Sequence, residues 1–250
     1  MVGLAFAWVT ANFAALNPLE FRADPPEHLP NLAKNSKSAR SLTELASNKF
    51  RRSVGSWFDG KRKRPIEFVW LYAPEFAYAR LKNLEFVEHW HPTELNRRWT
   101  QISSPMKGKC SFFVQLASAP KFDLLNVRFK DSSDPEQIEN VRFVLLVDGV
   151  RHDPTAIDPV FSAHSKSPNL FEPLPWYQFA PNGDCFVKEF DAPVTASPFD
   201  DSPFSLHLFR VDFDVNEIVQ MLKINSTLSL RVISRSKERK ADYRLDLGSL

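Results

Sequence analysis

Two histidines two positions apart are the residues whose types and spacing most favour metal chemistry. They are His89 and His91 in "EHWHPTE", flanked by Glu88 and Glu94. In an extended segment both imidazoles would point to the same side, and zinc binds imidazole and carboxylate groups. A working site needs a further ligand, for which the other candidates are His152, His164 and His207. We expect surface or packing roles for His89 and His91, with a metal-dependent hydrolase as an alternative.

Catalytic and cofactor motifs are missing from the rest of the sequence. There is no G-x-S-x-G, no H-E-x-x-H and no Cys beside a His in a known signature. The acidic stretches "DFDVNE" and "FDDSPF" do not follow the calcium-loop pattern. The chain has only 7 Gly, with neither G-x-G-x-x-G nor a Walker sequence. We therefore predict no catalytic residue, no cofactor and a non-enzymatic protein.

The two cysteines, Cys110 and Cys185, each begin an apolar run, "CSFFVQL" and "CFVKEF". Their spacing fits no zinc motif. If the two runs are neighbouring strands, the thiols could form a disulfide in an oxidising compartment. Two separate buried thiols are the alternative.

Exposed aromatic side chains would allow stacking on sugar rings. The candidate ligand-binding residues are Trp176 and Tyr177 in "LPWYQF", because flanking prolines place this stretch on a loop or sheet edge. A carbohydrate-binding module is therefore an alternative function, while burial of most aromatic rings in the core is the simpler interpretation. Nucleic acid is not a favoured partner, because the basic residues cluster without interleaved aromatics.

The elements that must position these residues are short strands. Phe occurs 22 times and Pro 19 times, which favours strands and interrupts helices. Runs such as "PIEFVWLY", "RRWTQI" and "VRFVLLVDGV" are strand-like, Asp148-Gly149 is a hairpin signal, and "APEFAYARLKNLEFVEHW" predicts a helix. We predict a mainly β protein, an antiparallel β-sandwich with one or two short helices and a loosely ordered N-terminal segment.

Three regions follow from composition. Residues 1–20 are mostly apolar and favour an export signal, although the basic residues that normally stand before the apolar stretch of such a signal are missing. A buried first element of the domain and a membrane anchor are the alternatives. Residues 21–64 are predicted to be a basic linker, since ten of the bases and two of the acids lie between Asn31 and Arg64. Residues 65–250 form the predicted sandwich domain. We expect no transmembrane helix.

The order of four pieces resembles a loose class of uncharacterised bacterial exported proteins with a β-sandwich body. These pieces are "PIEFVWLYAPEF", "SFFVQL", "VRFVLLVDGVRHDPTAI", and "WYQFAP" with "CFVKEFDAP". The resemblance implies a periplasmic, envelope-associated or secreted location and no known activity. An envelope component or a polysaccharide is the expected kind of partner.

Overall fold

A computed structural model describes residues 19–25, 37, 49–58, 63–118, 122–123, 128–129, 141–165, 204–223, 225–234 and 237–245. Three helices lie within these residues: α1 (Pro74–Glu88), α2 (Pro92–Met106) and α3 (Val215–Met221). The strands are β1 (Arg51–Phe58), β2 (Lys63–Tyr72), β3 (Lys109–Ser118), β4 (Phe122–Asp123), β5 (Arg128–Phe129), β6 (Arg142–Val147), β7 (Val150–His152), β8 (Ala156–Ser165), β9 (Phe204–Asp214), β10 (Thr227–Ile233) and β11 (Glu238–Arg244).

Nine of these strands form two antiparallel sheets. The five-stranded sheet has the order β1-β2-β3-β9-β8, and the four-stranded sheet has the order β11-β10-β6-β7. The two-residue strands β4 and β5 pair only with each other among the described strands. The predicted mainly β, antiparallel sandwich is therefore confirmed.

The core between the sheets is built by alternate residues of each strand. Phe112 of β3 packs against Tyr243 of β11, with ring centroids 5.8 Å apart, and Phe143 of β6 packs against Phe209 of β9 at 5.9 Å. The hydroxyl of Tyr243 also donates a hydrogen bond of 2.8 Å to the carbonyl of Val69 in β2. Because successive side chains of a strand point to opposite faces, this pattern leaves the other residues for the outer faces.

The outer face of the five-stranded sheet is covered by the first two helices. Both helices begin with a proline, which suits the first turn because its backbone lacks an N–H that would stay unbonded there. The rings of Tyr78 in α1 and Trp99 in α2 meet edge to face, 5.7 Å apart. Phe21 stacks on Trp99 and on Tyr72 of β2, at 5.9 and 5.4 Å.

The stretch "RRWTQI" is helical, so its prediction as a strand is wrong. It lies in α2, whose buried residues recur every three or four positions and face the sheet: Leu95, Trp99, Ile102, Ser103 and Met106. This is helical periodicity, which outweighs the strand preference of Trp, Thr and Ile. The predicted helix in "APEFAYARLKNLEFVEHW" is confirmed as α1. The described residues thus contain three helices rather than one or two.

The strand β6 and the turn after it agree with the sequence pattern. Phe143, Leu145 and Val147 are buried, as is Val144 on the opposite side, so the strand is covered on both faces. Asp148 and Gly149 have φ of 47° and 89°, the left-handed conformation of a two-residue hairpin turn. The predicted hairpin is therefore confirmed.

The folded unit begins before Pro65. The strand β1 lies inside the predicted linker of residues 21–64, yet it pairs with β2 over its whole length. Leu19, Phe21 and Phe50 are buried in the core. Parts of the segment that was predicted to be a linker therefore belong to the sandwich, because a few large apolar residues there are buried against the core. The predicted boundary at Pro65 lies too late in the chain.

Candidate functional site

The predicted metal ligands lie in the turn between α1 and α2 rather than in an extended strand. His89 ends α1 with a left-handed φ of 55°. His91 caps α2, since its Nδ1 accepts a hydrogen bond of 3.4 Å from the backbone N–H of Thr93. Both side chains are exposed. The turn between the two helices thus gives His91 a structural role at the start of α2.

The structure does not bring a third metal ligand to these histidines within the described ranges. No group of three or more His, Cys, Asp or Glu side chains there could hold a metal ion. His152 lies on β7, where its Nδ1 is 3.5 Å from the carboxylate of Glu217 in α3. His164 and His207 belong to the neighbouring strands β8 and β9. The metal-dependent hydrolase therefore gains no support from the geometry.

The other predicted site residues are only partly described. Cys110 is buried in β3. Burial, together with the charge of Asp212, raises the pKa of Cys110, which makes the thiol a poor nucleophile. Cys185, Trp176 and Tyr177 lie outside the described residues, so the disulfide and the aromatic binding site stay predictions. Among the side chains that are described, the exposed large apolar ones are Val150, Ile157 and Ile233, and none is aromatic.

A buried ion pair joins the two sheets. Glu67 of β2 accepts hydrogen bonds of 2.9 and 2.8 Å from Nε and Nη2 of Arg239 in β11, and one of 3.0 Å from Nζ of Lys237. Both Glu67 and Arg239 are at most 5% exposed. Burial alone would raise the pKa of Glu67, but the hydrogen bonds and charges of Arg239 and Lys237 outweigh it and hold the pKa below its ordinary value.

The Glu67 carboxylate lies against the backbone of the edge strand β1. A Cβ atom at Gly55 would come within 1.7 Å of Oε2 of Glu67. Gly55 is also where the register of β1 against β2 shifts, as in a β-bulge. The glycine is therefore required here for close approach of a carboxylate, and "VGSW" in a run of strand-forming residues is the signal that could have indicated it.

A second charged cluster lies under the helical layer. Asp212 of β9 is fully buried and accepts a hydrogen bond of 2.6 Å from the hydroxyl of Ser111 in β3. Its carboxylate is also 3.3 Å from Nζ of Lys109 and 3.3 Å from Nε of Arg210, which in turn pairs with Asp158. A serine nucleophile needs an accessible hydroxyl and a base. Ser111 has no exposed surface, so this cluster stabilises the sheet instead of presenting a catalytic group.

The outer face of the four-stranded sheet, which we call the open face, carries exposed side chains. Cross-strand register places on it the outward residues of four strands: Arg142, Val144, Leu146, Arg151, Thr227, Ser229, Arg231, Ile233, Glu238, Lys240, Asp242 and Arg244. Eight of these are exposed to solvent: Arg142, Arg151, Thr227, Ile233, Glu238, Lys240, Asp242 and Arg244. Among these described residues, Val144 and Ser229 at the centre of the face are buried, and the exposed side chains around them can contact a partner.

The charges of the open face alternate along β11. In its sequence "ERKADYR", exposed and buried residues alternate. The exposed, outward residues all carry a charge, and the sign of the charge alternates: Glu238, Lys240, Asp242 and Arg244. On the face, Arg231 contacts Glu238 at 2.7 Å and Lys240 contacts Asp242 at 2.7 Å. The alternation is visible in the sequence as a period of two, and it is the signal that could have pointed to this surface.

Comparisons with known proteins identify neither a family nor a function for the chain. No family model matches the chain, and no curated protein matches it. A solved structure, described as a novel protein of unknown function from Burkholderia pseudomallei K96243, aligns with 12% identity and a TM-score of 0.41, over 88% of this chain and 89% of that chain. A similarity at that level supports no inference about function. Within the described residues, no helix has the length and apolar character needed to cross a bilayer.

Proposed function

We propose that the chain is a non-enzymatic binding or structural protein of the bacterial cell envelope or exterior, of the kind that the resemblance to exported β-sandwich proteins implies. The observation that carries this proposal is the open face. It is a paired, exposed surface with ordered charges, whereas the described helices α2 and α3 contact β3 of the other sheet. Such a surface suits contact with a partner more than it suits chemistry, which requires a concave site that excludes water.

The buried charges support the same proposal. Glu67 is paired with Arg239 and Lys237, and Asp212 with Lys109 and Ser111. A catalytic acid or base must reach its substrate, and these carboxylates are closed off by their own partners. Both clusters therefore act in folding, and the exposed side chains remain for recognition.

The extracytoplasmic location is tested by following the N-terminus. Leu19 and Phe21 are core residues, so removal of a signal must leave them in place. When the full chain is expressed, we expect the protein to be found in the periplasm, envelope or medium, with an N-terminal sequence that starts after Ala15 and no later than Leu19. A variant lacking residues 1–15 should remain in the cytoplasm as a folded protein. Cytoplasmic protein with its first residues intact would contradict the proposed location.

A further inference from the structure

A cationic stripe crosses the open face diagonally. Arg142 in β6 lies opposite Ile233, Arg231 lies opposite Lys240, and Arg244 of β11 lies opposite Thr227. With about 4.8 Å between strands and about 3.4 Å per residue, Arg142 and Arg244 are roughly 20 Å apart across the sheet. The bases Arg231 and Lys240 lie between them. The stripe therefore has the length of an extended polymer rather than of a small ligand.

The ends of the stripe carry charge that the fold leaves uncompensated. The two acids of the face are held by its central bases, Glu238 by Arg231 and Asp242 by Lys240. On β7, Arg151 is likewise paired, with Asp153. Among the parts of the chain that are described, no acid pairs with Arg142 or Arg244. These two exposed guanidinium groups are the ones available to an anionic partner.

We propose that the open face binds an extended carboxylate-bearing polysaccharide, with Arg142 and Arg244 as its principal contacts. Guanidinium groups bind carboxylates through two parallel hydrogen bonds, which suits uronic acid units spaced along a chain. The hydroxyl of Thr227, exposed beside Arg244, can contact sugar hydroxyls. This inference rests on the proposed binding function and names the partner of the same surface.

The composition of the face favours this polymer over other polyanions. Single-stranded nucleic acid binds on aromatic side chains that stack with bases, and the large apolar residue exposed on this face is the aliphatic Ile233. A membrane surface would need several apolar residues to insert beside the bases. A sheet surface with separated cations instead matches a chain that runs across it and presents a carboxylate at intervals.

The test is binding of the purified full chain to immobilised polygalacturonate at increasing salt. The double variant Arg142→Gln with Arg244→Gln is compared with the double variant Arg97→Gln with Lys107→Gln. Arg97 lies in α2 and Lys107 directly follows it, and both are exposed bases on the opposite side of the molecule. Both doubles change net charge equally. We expect the first to bind about 25-fold more weakly, about fivefold for each base near an anionic surface, with a shallower dependence on salt. The second should bind as the wild type does, and both should keep the wild-type melting temperature.

Three results would overturn the proposal. The first is failure of the wild-type chain to bind polygalacturonate. The second is an equal loss of binding in both double variants, which would mean that only net charge matters. The third is tighter binding to single-stranded DNA or to anionic phospholipid vesicles, lost in the Arg142 and Arg244 variant. An exported chain that does not bind would disprove this inference alone, whereas a chain retained in the cytoplasm would disprove the proposed location.

Discussion

Adding one methyl group at Gly55 should destabilise the wild-type protein. In a protein that already lacks the Glu67 side chain, the same methyl group should instead be slightly stabilising. In Gly55→Ala the new Cβ would lie 1.7 Å from Oε2, 2.6 Å from Cδ and 2.9 Å from Cγ of Glu67. Contacts between such atoms normally exceed about 3.5 Å. The carboxylate must therefore move by roughly 2 Å, a distance that breaks hydrogen bonds. It would lose its bonds of 2.9 and 2.8 Å to Arg239.

The size of the effect follows from the burial of the pair. Removing one partner of a buried ion pair typically costs about 3–5 kcal/mol, because the other charge stays buried without compensation. Arg239 is only 5% exposed, so Gly55→Ala should lower the free energy of unfolding by about 3 kcal/mol, near the low end of that range. Glu67→Ala should cost as much or more. In the double variant the new methyl group fills space that the carboxylate has left, and the lower backbone entropy of Ala should restore about 0.5–1 kcal/mol.

The assay is urea unfolding at pH 7 of the wild type, both single variants and the double variant. With a slope of about 3 kcal/mol per molar urea, the Gly55→Ala midpoint should fall by about 1 M. A control is Gly108→Ala, where nothing lies within 4 Å but φ is +76°, so its cost of about 1–2 kcal/mol should be the same with or without Glu67. If Gly55→Ala costs the same in the Glu67→Ala background as in the wild type, the carboxylate is not what requires this glycine.

Two further predictions concern the same core. Because the pKa of Glu67 is below its ordinary value of 4.5 in the folded state, the stability that it contributes is complete above that pH and is lost as the pH falls through the folded-state pKa. The difference in urea midpoint between the wild type and Glu67→Gln should therefore shrink below about pH 4.5, and a difference independent of pH would contradict the assignment. Leu145 is fully buried and Leu146 only partly, so Leu145→Ala should cost about 2–5 kcal/mol and Leu146→Ala clearly less, as measured by thermal unfolding; equal costs would contradict the strand orientation.

The strands and turns of the sandwich could be predicted where local chemistry determines them. In β6 an uninterrupted apolar run indicates a strand covered on both faces, and Asp148-Gly149 has the residues that a left-handed hairpin turn requires. The turn is reinforced by a partner that no local pattern shows. Asp148 accepts hydrogen bonds from the backbone N–H of Thr227 and the hydroxyl of Ser226, which hold the pKa of Asp148 below its ordinary value.

What the sequence could not show depends on contacts between distant residues. Glu67 looks like an outward residue of an alternating strand, and only the arrival of Arg239 from the last strand makes its burial tolerable. The extended site expected around His89 and His91 failed for a related reason. Its residues connect two helices that pack against each other, the second of which also contacts β3, so tertiary packing decided a conformation that local composition left open.

The strand β11 shows how one segment can serve folding and recognition at the same time. Its inward residues Arg239 and Tyr243 reach the other sheet, the first through the Glu67 carboxylate and the second through the Val69 carbonyl. Its outward residues Lys240 and Arg244 belong to the stripe of the open face. Because the two sets point in opposite directions, substitutions at outward positions should alter binding without unfolding the sandwich. Any partner that binds the open face therefore contacts a surface whose backbone is held in place from behind by a buried ion pair.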